Sequence, residues 1–276
     1  MATSAENLRD QVVSAFAHTP DPRARELLTK LAEHLHDFII ETQLTEDEWL
    51  AAIEFLTATG KMTDDKRQEF VLLSDVFGIS ALVDFLNGPK GETATENALI
   101  GPFYVSDAPL LANGESIVKE HEGEPVHLSG TVTDLAGTPL PGAQVEIWQI
   151  AANGAYDGQD PDMAEDNMRG RFLADDDGRY ALRTNRPFGY SVPTDGPVGR
   201  LLDVLDRDPM RAAHIHLRVS ADGHEPLVTQ LYDVECPHLA TDVVFGVRES
   251  LATRLELGDD GVRYATFDVR LVPSHR

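Results

Sequence analysis

The apolar positions of this chain change their period part-way along. Leu27, Leu28, Leu31, Leu35, Phe38 and Ile39 recur at helical spacing just after Pro20 and Pro22, which predicts an amphipathic helix. Thr45-Glu-Asp-Glu48 has the form of a capping box and predicts a second helix carrying Trp49, Ile53 and Phe55. Thr63-Asp-Asp predicts the start of a third, running through Phe70, Leu72, Leu73, Val76 and Phe77, with Gly78 kinking or ending it. These segments hold more apolar residues than short isolated helices need. Their faces are expected to bury against each other or against a second subunit.

Near Gly101-Pro102 the character changes. Residues 126–133, 143–150, 178–183, 213–220, 226–234 and 266–272 read as short strands. Ala136-Gly137, Asn153-Gly154, Asp177-Gly178 and Asp222-Gly223 supply turns between many of them. The chain is therefore expected to be mainly β with α. A helical N-terminal domain over 1–104 precedes an antiparallel β-sandwich over 105–276. The stretch 151–171 reads as irregular loop, and loops of that length in a compact domain tend to be functional.

Composition narrows the function classes. The 276 residues suit one large or two modest domains, and 42% hydrophobic content is ordinary for a globular chain. No apolar run approaches a membrane span, and the first residues lack the basic and apolar regions of a secretory signal. Cys236 is the only cysteine, so no intrachain disulfide forms, and a cytoplasmic location is expected. The formal net charge of −24 repels phosphate backbones and anionic membranes, which sets aside nucleic acid and membrane as partners. The plain meaning of that charge is solubility.

The strongest chemical signal is the run Arg211-Ala-Ala-His-Ile-His-Leu-Arg-Val219. Ala213, Ile215, Leu217 and Val219 alternate with His214, His216 and Arg218, so both imidazoles share one face of a strand. Two neutral nitrogen donors on one face are half of a metal site. A lone cysteine excludes a thiolate cluster. A carboxylate completing a two-histidine Fe(II) site stays open, although no His-x-Asp or His-x-Glu pair supports it. Tyr156 and Tyr190 stand out as alternatives because both lie in turn-rich loops. A phenolate is a hard anionic donor suited to Fe(III), and metal coordination readily supplies the deprotonation that a phenol of pKa about 10 needs.

Asn153-Gly-Ala-Tyr-Asp157, Pro187-Phe-Gly-Tyr190 and Arg211-Ala-Ala-His-Ile-His216 occur in the order and rough spacing of the intradiol ring-cleaving dioxygenases, which this chain resembles from about residue 25 to near its end. Gly130-Thr-Val-Thr-Asp134, Pro139-Leu-Pro-Gly-Ala-Gln-Val-Glu-Ile-Trp148 and Thr95-Glu-Asn-Ala-Leu-Ile-Gly-Pro-Phe103 extend the likeness. Within the family it is most similar to the hydroxyquinol-cleaving branch, through Tyr156-Asp-Gly-Gln159, Tyr190-Ser-Val-Pro-Thr-Asp-Gly-Pro-Val-Gly199, Val244-Phe-Gly-Val247 and Leu72-Leu-Ser-Asp-Val76.

The resemblance implies that Tyr156, Tyr190, His214 and His216 hold one Fe(3+) per subunit. It implies that Tyr190 leaves the metal to admit substrate and takes a proton, that Arg211 stabilises negative charge on the ring, and that Gln230 supports the arginine or the oxygen pocket. Leu72, Asp75, Leu99, Ile100, Gly101 and Val244 would line the ring pocket, with Asp75 placed to accept a hydrogen bond from a third hydroxyl. The implied reaction uses O2 to cleave hydroxyquinol between adjacent hydroxylated carbons, giving 3-hydroxy-cis,cis-muconate and then maleylacetate. Leu99 and Ile100 depart from that branch, where an aromatic is frequent before the glycine, so cleavage of catechol or a substituted catechol stays open. The resemblance also implies a homodimer through the N-terminal helices, and some relatives hold phospholipid there.

Plainer readings stand beside these. A His-x-His pair alone is more often a surface or core-edge pair than a ligand pair, and His34 and His36 repeat the spacing inside a helical pattern where the side chains diverge. Tyr180 lies in an alternating run and reads as packed. Asp75 is equally well a helix-surface or capping group, Arg211 a solvated arginine, and Gln230 a strand-edge donor. Arg218 is solvated or pairs with a carboxylate, and His121, His127, His224 and His238 read as structural or exposed. A non-enzymatic sandwich module is the competing class, and it would not require the tyrosine and histidine quartet.

Overall fold

A computed structural model describes residues 4–64, 67–89, 91–121 and 123–274. The chain divides into two compact units, Met1–Gly60 and Lys61–Arg276.

The first unit is helical: α1 (Ala5–Phe16), α2 (Pro22–Thr42) and most of α3 (Glu46–Met62). Local chemistry sets each start. Asp21 accepts a hydrogen bond from the Ala24 N–H at 2.6 Å, and Pro22 occupies the first turn of α2, where its missing N–H has no intrahelical partner to lose. The expected capping box is present, with Thr45 N–H donating to Glu48 and Glu48 N–H donating to the Thr45 hydroxyl. Arg9 of α1 reaches Asp37 of α2 at 2.7 Å. Leu27, Leu31, Leu35 and Phe38 of α2 are exposed, an apolar stripe at helical spacing.

The second unit opens with α4 (Glu69–Val76) and α5 (Ile79–Asn87). The helix expected from Thr63 begins later, because Asp64 instead closes a turn onto the Arg67 N–H at 2.7 Å. Asp65, part of that expectation, lies outside the described residues. Gly78 ends α4 rather than kinking it, with φ at +69°.

Among the described residues these elements follow in order: β1 (Pro125–Asp134), β2 (Gln144–Trp148), β3 (Arg169–Leu173), β4 (Arg179–Asn185), β5 (Tyr190–Ser191), α6 (Pro197–Val204), β6 (Met210–Arg211), β7 (His214–Ser220), β8 (Leu227–Asp233), a 3-10 turn (Glu249–Leu251), β9 (Ala252–Thr253), β10 (Glu256–Leu257), β11 (Arg263–Thr266) and β12 (Val269–Leu271). One sheet runs β10-β11-β1-β12 with β4 also on β1, a second runs β3-β2-β7-β8-β9, and β5 and β6 form a small two-stranded sheet. Val126, Leu128 and Leu182 of the first share one core with Val145, Ile147, Ile215, Leu217 and Leu231 of the second. This matches the expected sandwich in its layers.

It corrects the expectation in direction. The sheets are mixed: β1 pairs in parallel with β11 and β12, and β8 in parallel with β9. The ten-residue β1 pairs with β4 along one edge while the C-terminal segment returns beside its other edge in the same sense. Alternation along each strand reports burial but carries no sign of its partner's direction. The stretch 151–171 is also not all loop, since β3 begins at Arg169 and pairs with β2.

Candidate active site

All of the expected site residues lie in the second unit. Ala213, just before β7, and Ile215, Leu217 and Val219 on it are buried, and the last three join the sandwich core. The opposite face is buried too, and His214 and His216 are each 2% exposed. His216 is in register with Trp148 of β2 and Gln230 of β8. Three adjacent strands therefore bring an indole, an imidazole and an amide to one row. Trp148 stacks on the His216 ring at 4.7 Å and 8° between planes. His214 Nδ1 lies 2.6 Å from the Ala212 carbonyl, so it carries the proton and leaves Nε2 with its lone pair. That Nε2 lies 3.1 Å from Nε2 of His216. Burial pushes both rings far below the usual imidazole range, and the Arg211 charge adds to it. Both are held neutral, the state in which imidazole binds a metal.

Tyr156 and Tyr190 meet this pair. Their Oη atoms are 3.5 Å apart, and the Tyr190 ring centroid is 5.6 Å from that of His214. Tyr156 is 2% exposed and stacked by Phe103 at 4.3 Å. Burial, then the neighbouring Tyr190, pushes its phenol well above the ordinary value. Its loop is pinned by Arg169, which holds Asp157 through a buried ion pair and donates to the Phe103 carbonyl at 2.5 Å. Tyr190 is only half-buried, and it sits on the two-residue β5 opposite Arg211 of β6.

Arg211 is buried, not solvated. Its Nε donates to Asp242 at 3.2 Å and its Nη2 to Gln230 Oε1 at 3.3 Å. Gln230 is a hub: its Oε1 also accepts from the Tyr232 hydroxyl, and its amide nitrogen donates to the Leu99 carbonyl at 2.6 Å and faces His216 Nδ1 at 3.2 Å. Arg218 pairs with Glu146.

On the other side, Leu72, Leu99 and Val244 pack in one apolar cluster with Val76, Val192, Val198 and Leu202. Asp75 lies one turn along α4 from Leu72. Burial raises its carboxyl above the ordinary range; a Ser80 hydrogen bond and Arg211 pull it down, and Asp242 pushes it up. Asp75 therefore lies within electrostatic reach of the arginine. Gly101 has φ at +68°, and a Cβ there would stand 3.4 Å from His216 Cε1, so the backbone passes close over the imidazole. Ile100 is 43% exposed and lies outside the apolar cluster.

Residues 99–273 match the family model described as "Dioxygenase", and residues 21–95 the one described as "Catechol dioxygenase N terminus". The chain belongs to the intradiol ring-cleaving dioxygenases. It is 47% identical to the hydroxyquinol 1,2-dioxygenase of Rhodococcus opacus over 247 residues, covering 89% of this chain and 82% of that one. It is 44% identical to the 6-chlorohydroxyquinol 1,2-dioxygenase of Cupriavidus pinatubonensis over 97% of both chains. The crystal structure of hydroxyquinol 1,2-dioxygenase from Pseudomonas putida DLL-E4 matches with a TM-score of 0.94 at 40% identity, covering 98% of this chain and 99% of that one.

Intradiol dioxygenases use non-haem iron. The donor set here fits such a group. Two neutral imidazole nitrogens and two phenol oxygens are brought together by a chain of ring contacts, from Tyr156 through Tyr190 and His214 to His216. A hard, highly charged cation favours the phenolate form that burial alone opposes. Among the described residues, no three His, Cys, Asp or Glu side chains form a metal cage. Sequence reasoning missed several parts of this candidate site. Phe103 and Trp148 stood inside motifs but gave no periodic signal for ring stacking. Asp242 and Arg169 gave none at all, because their partners are 31 and 12 residues away.

Proposed function

We propose that this chain is an Fe(III) dioxygenase that cleaves hydroxyquinol (benzene-1,2,4-triol) with O2 between adjacent hydroxylated carbons. The product is 3-hydroxy-cis,cis-muconate, which tautomerises to maleylacetate. The Asp75 carboxyl, within electrostatic reach of Arg211 and one helical turn from Leu72 of the apolar cluster, supports this substrate over catechol. The names of the relatives agree.

Tyr156, Tyr190, His214 and His216 would hold one ferric ion. When bound, it supplies Lewis acidity and a template for two adjacent ring oxygens. The two phenols have different duties. Tyr156 is buried and clamped by Phe103, which suits a permanent anchor. Tyr190 is more open and rides on a two-residue strand, which suits a phenolate that swings away and accepts a substrate hydroxyl proton at Oη. Arg211 holds a permanent positive charge where the ring becomes electron-rich; burial opposes that charge, and its neighbours, Asp242 foremost, more than offset the penalty. Leu72, Leu99 and Val244 exclude water from that face of the ring. Asp75 accepts the hydrogen bond of the third hydroxyl.

Oxygen uptake by the iron-loaded protein, followed with hydroxyquinol and catechol side by side and with the product identified by NMR, tests this reading. Equimolar O2 consumption, maleylacetate and a higher kcat/KM for hydroxyquinol are expected. No uptake, or a preference for catechol, contradicts it. The exposed apolar stripe of α2 supports a homodimer, which sedimentation velocity checks; a monomer at micromolar concentration contradicts it. Among the described residues no helix is long and apolar enough to cross a membrane.

A further inference from the structure

We propose that Asp242 is a positioning residue, which aims the Arg211 guanidinium at the substrate ring and ties it to the pocket wall. The inference rests on the role of Arg211 given above.

Asp242 is 4% exposed, and its carboxylate is fully engaged. Oδ1 accepts from Arg211 Nε at 3.2 Å and from the Ala212 N–H at 2.9 Å. Oδ2 accepts from the Gly246 N–H at 2.8 Å. One carboxylate thus joins the strand that carries the arginine to both ends of the turn 242–246. The turn is tied to the same strand again by the Val243 N–H, which donates to the Met210 carbonyl at 3.1 Å. Val244, a pocket residue, sits at the centre of that turn. Phe245 follows with φ at +56°, a left-handed conformation that a bulky side chain adopts only when its surroundings impose it. Gly246 is packed so closely that a Cβ would stand 3.1 Å from the Tyr232 hydroxyl and 3.2 Å from Arg211 Nη2.

The guanidinium is planar and its donors lie in a fixed fork. Fixing Nε on Asp242 and Nη2 on Gln230 therefore fixes the plane of the whole group. Asp242 also balances the arginine's charge in a buried place, where an unpaired guanidinium would be strongly unfavourable. Replacing the acid by its amide keeps the shape. It removes the charge and sets an NH2 group against a donor: the Gly246 N–H in one amide orientation, Arg211 and the Ala212 N–H in the other. Arg211 is then free to tilt from the ring.

The test is a double-mutant cycle of Asp242→Asn and Arg211→Ala in the iron-loaded enzyme. Two quantities are read: kcat on hydroxyquinol, and hydroxyquinol affinity without oxygen from the change in visible absorption. Asp242→Asn alone should lower kcat by roughly 10–100-fold, with the iron content unchanged. In the Arg211→Ala background the same substitution should cost less than about threefold in either quantity, because its target is gone. Independent, multiplying effects would show a merely structural carboxylate and overturn the proposal. An Arg211→Ala enzyme with wild-type turnover would instead overturn the role of Arg211, a separate failure. Should Asp242→Asn not fold, the cycle is run with Asp242→Glu, which keeps the charge but displaces the oxygens. The same criterion then decides: loss of its effect in the Arg211→Ala background supports the proposal, and persistence overturns it.

Discussion

The two sides of the site are built from different material. On the side proposed to face the metal, His214 and His216 stand on a central strand, and Trp148 and Gln230 on its neighbours are in register with His216. The backbone ladder sets their spacing, and both rings are buried. On the ring-facing side, Leu72 and Asp75 ride on the eight-residue α4, and Val244 lies on a turn. Side chains join those pieces. Arg207 donates to the Val76 carbonyl at the end of α4 (2.7 Å) and to the Val243 carbonyl (2.9 Å), and lies 4.4 Å over the Phe245 ring. The difference separates two properties. On the proposed reading, the sheet fixes the chemistry, while helix, turn and clamp shape the substrate that fits.

This division can be broken at either side. Removing a sheet-borne donor should have the largest effect: His214→Ala should abolish iron retention and O2 uptake, read by metal analysis and an oxygen electrode. Iron retained at the wild-type level would show that the strand pair is not the metal face. Cutting the clamp comes next. Arg207→Ala leaves two carbonyls short of a donor and should destabilise the protein by about 1–3 kcal/mol in urea unfolding. Its KM for hydroxyquinol should rise roughly tenfold, with kcat and the visible spectrum moving far less. A shift of kcat and spectrum instead of KM would mean that the two sides are not separable.

Asp75→Asn should act on selectivity alone. The kcat/KM for hydroxyquinol should fall roughly tenfold, the worth of one hydrogen bond to a charged group, with that for catechol within about twofold. Equal losses on both substrates would remove Asp75 as the reader of the third hydroxyl. A further effect concerns pH. Burial holds both histidines below their ordinary 6.5, so the unfolded chain takes up protons first as pH falls. The metal-free protein should therefore be most stable above pH 6.5 and lose stability below it, by up to about 1.4 kcal/mol per pH unit for each ring. Urea midpoints at pH 7.5 and 5.5 measure this. A His214→Gln, His216→Gln double variant with an undiminished pH dependence would assign it elsewhere.

Much of the fold was legible because apolar residues recur with the period of their element. The α2 stripe and the apolar alternation of Ala213, Ile215, Leu217 and Val219 are such traces, and β1 alternates in its burial as well. Strand direction left none, and the parallel pairing of β1 with β11 and β12 went unseen. The proposed metal ligands were readable because a shared strand face makes His214 and His216 neighbours, while Tyr156 and Tyr190 stood out in turn-rich loops and family likeness joined the four. The ring-facing side was harder. Leu72, Leu99 and Val244 look like any core residues until the chain folds. Asp242 meets Arg211 only because a turn returns 31 residues later, a contact without any local signature.

The most direct measurement is the visible spectrum of the purified, iron-loaded protein, before and after hydroxyquinol is added without oxygen. A broad tyrosinate-to-iron charge-transfer band that moves to longer wavelength with substrate is the predicted result. A protein that stays colourless after loading with Fe(III) would contradict the account, because Tyr156 and Tyr190 would then not be metal ligands.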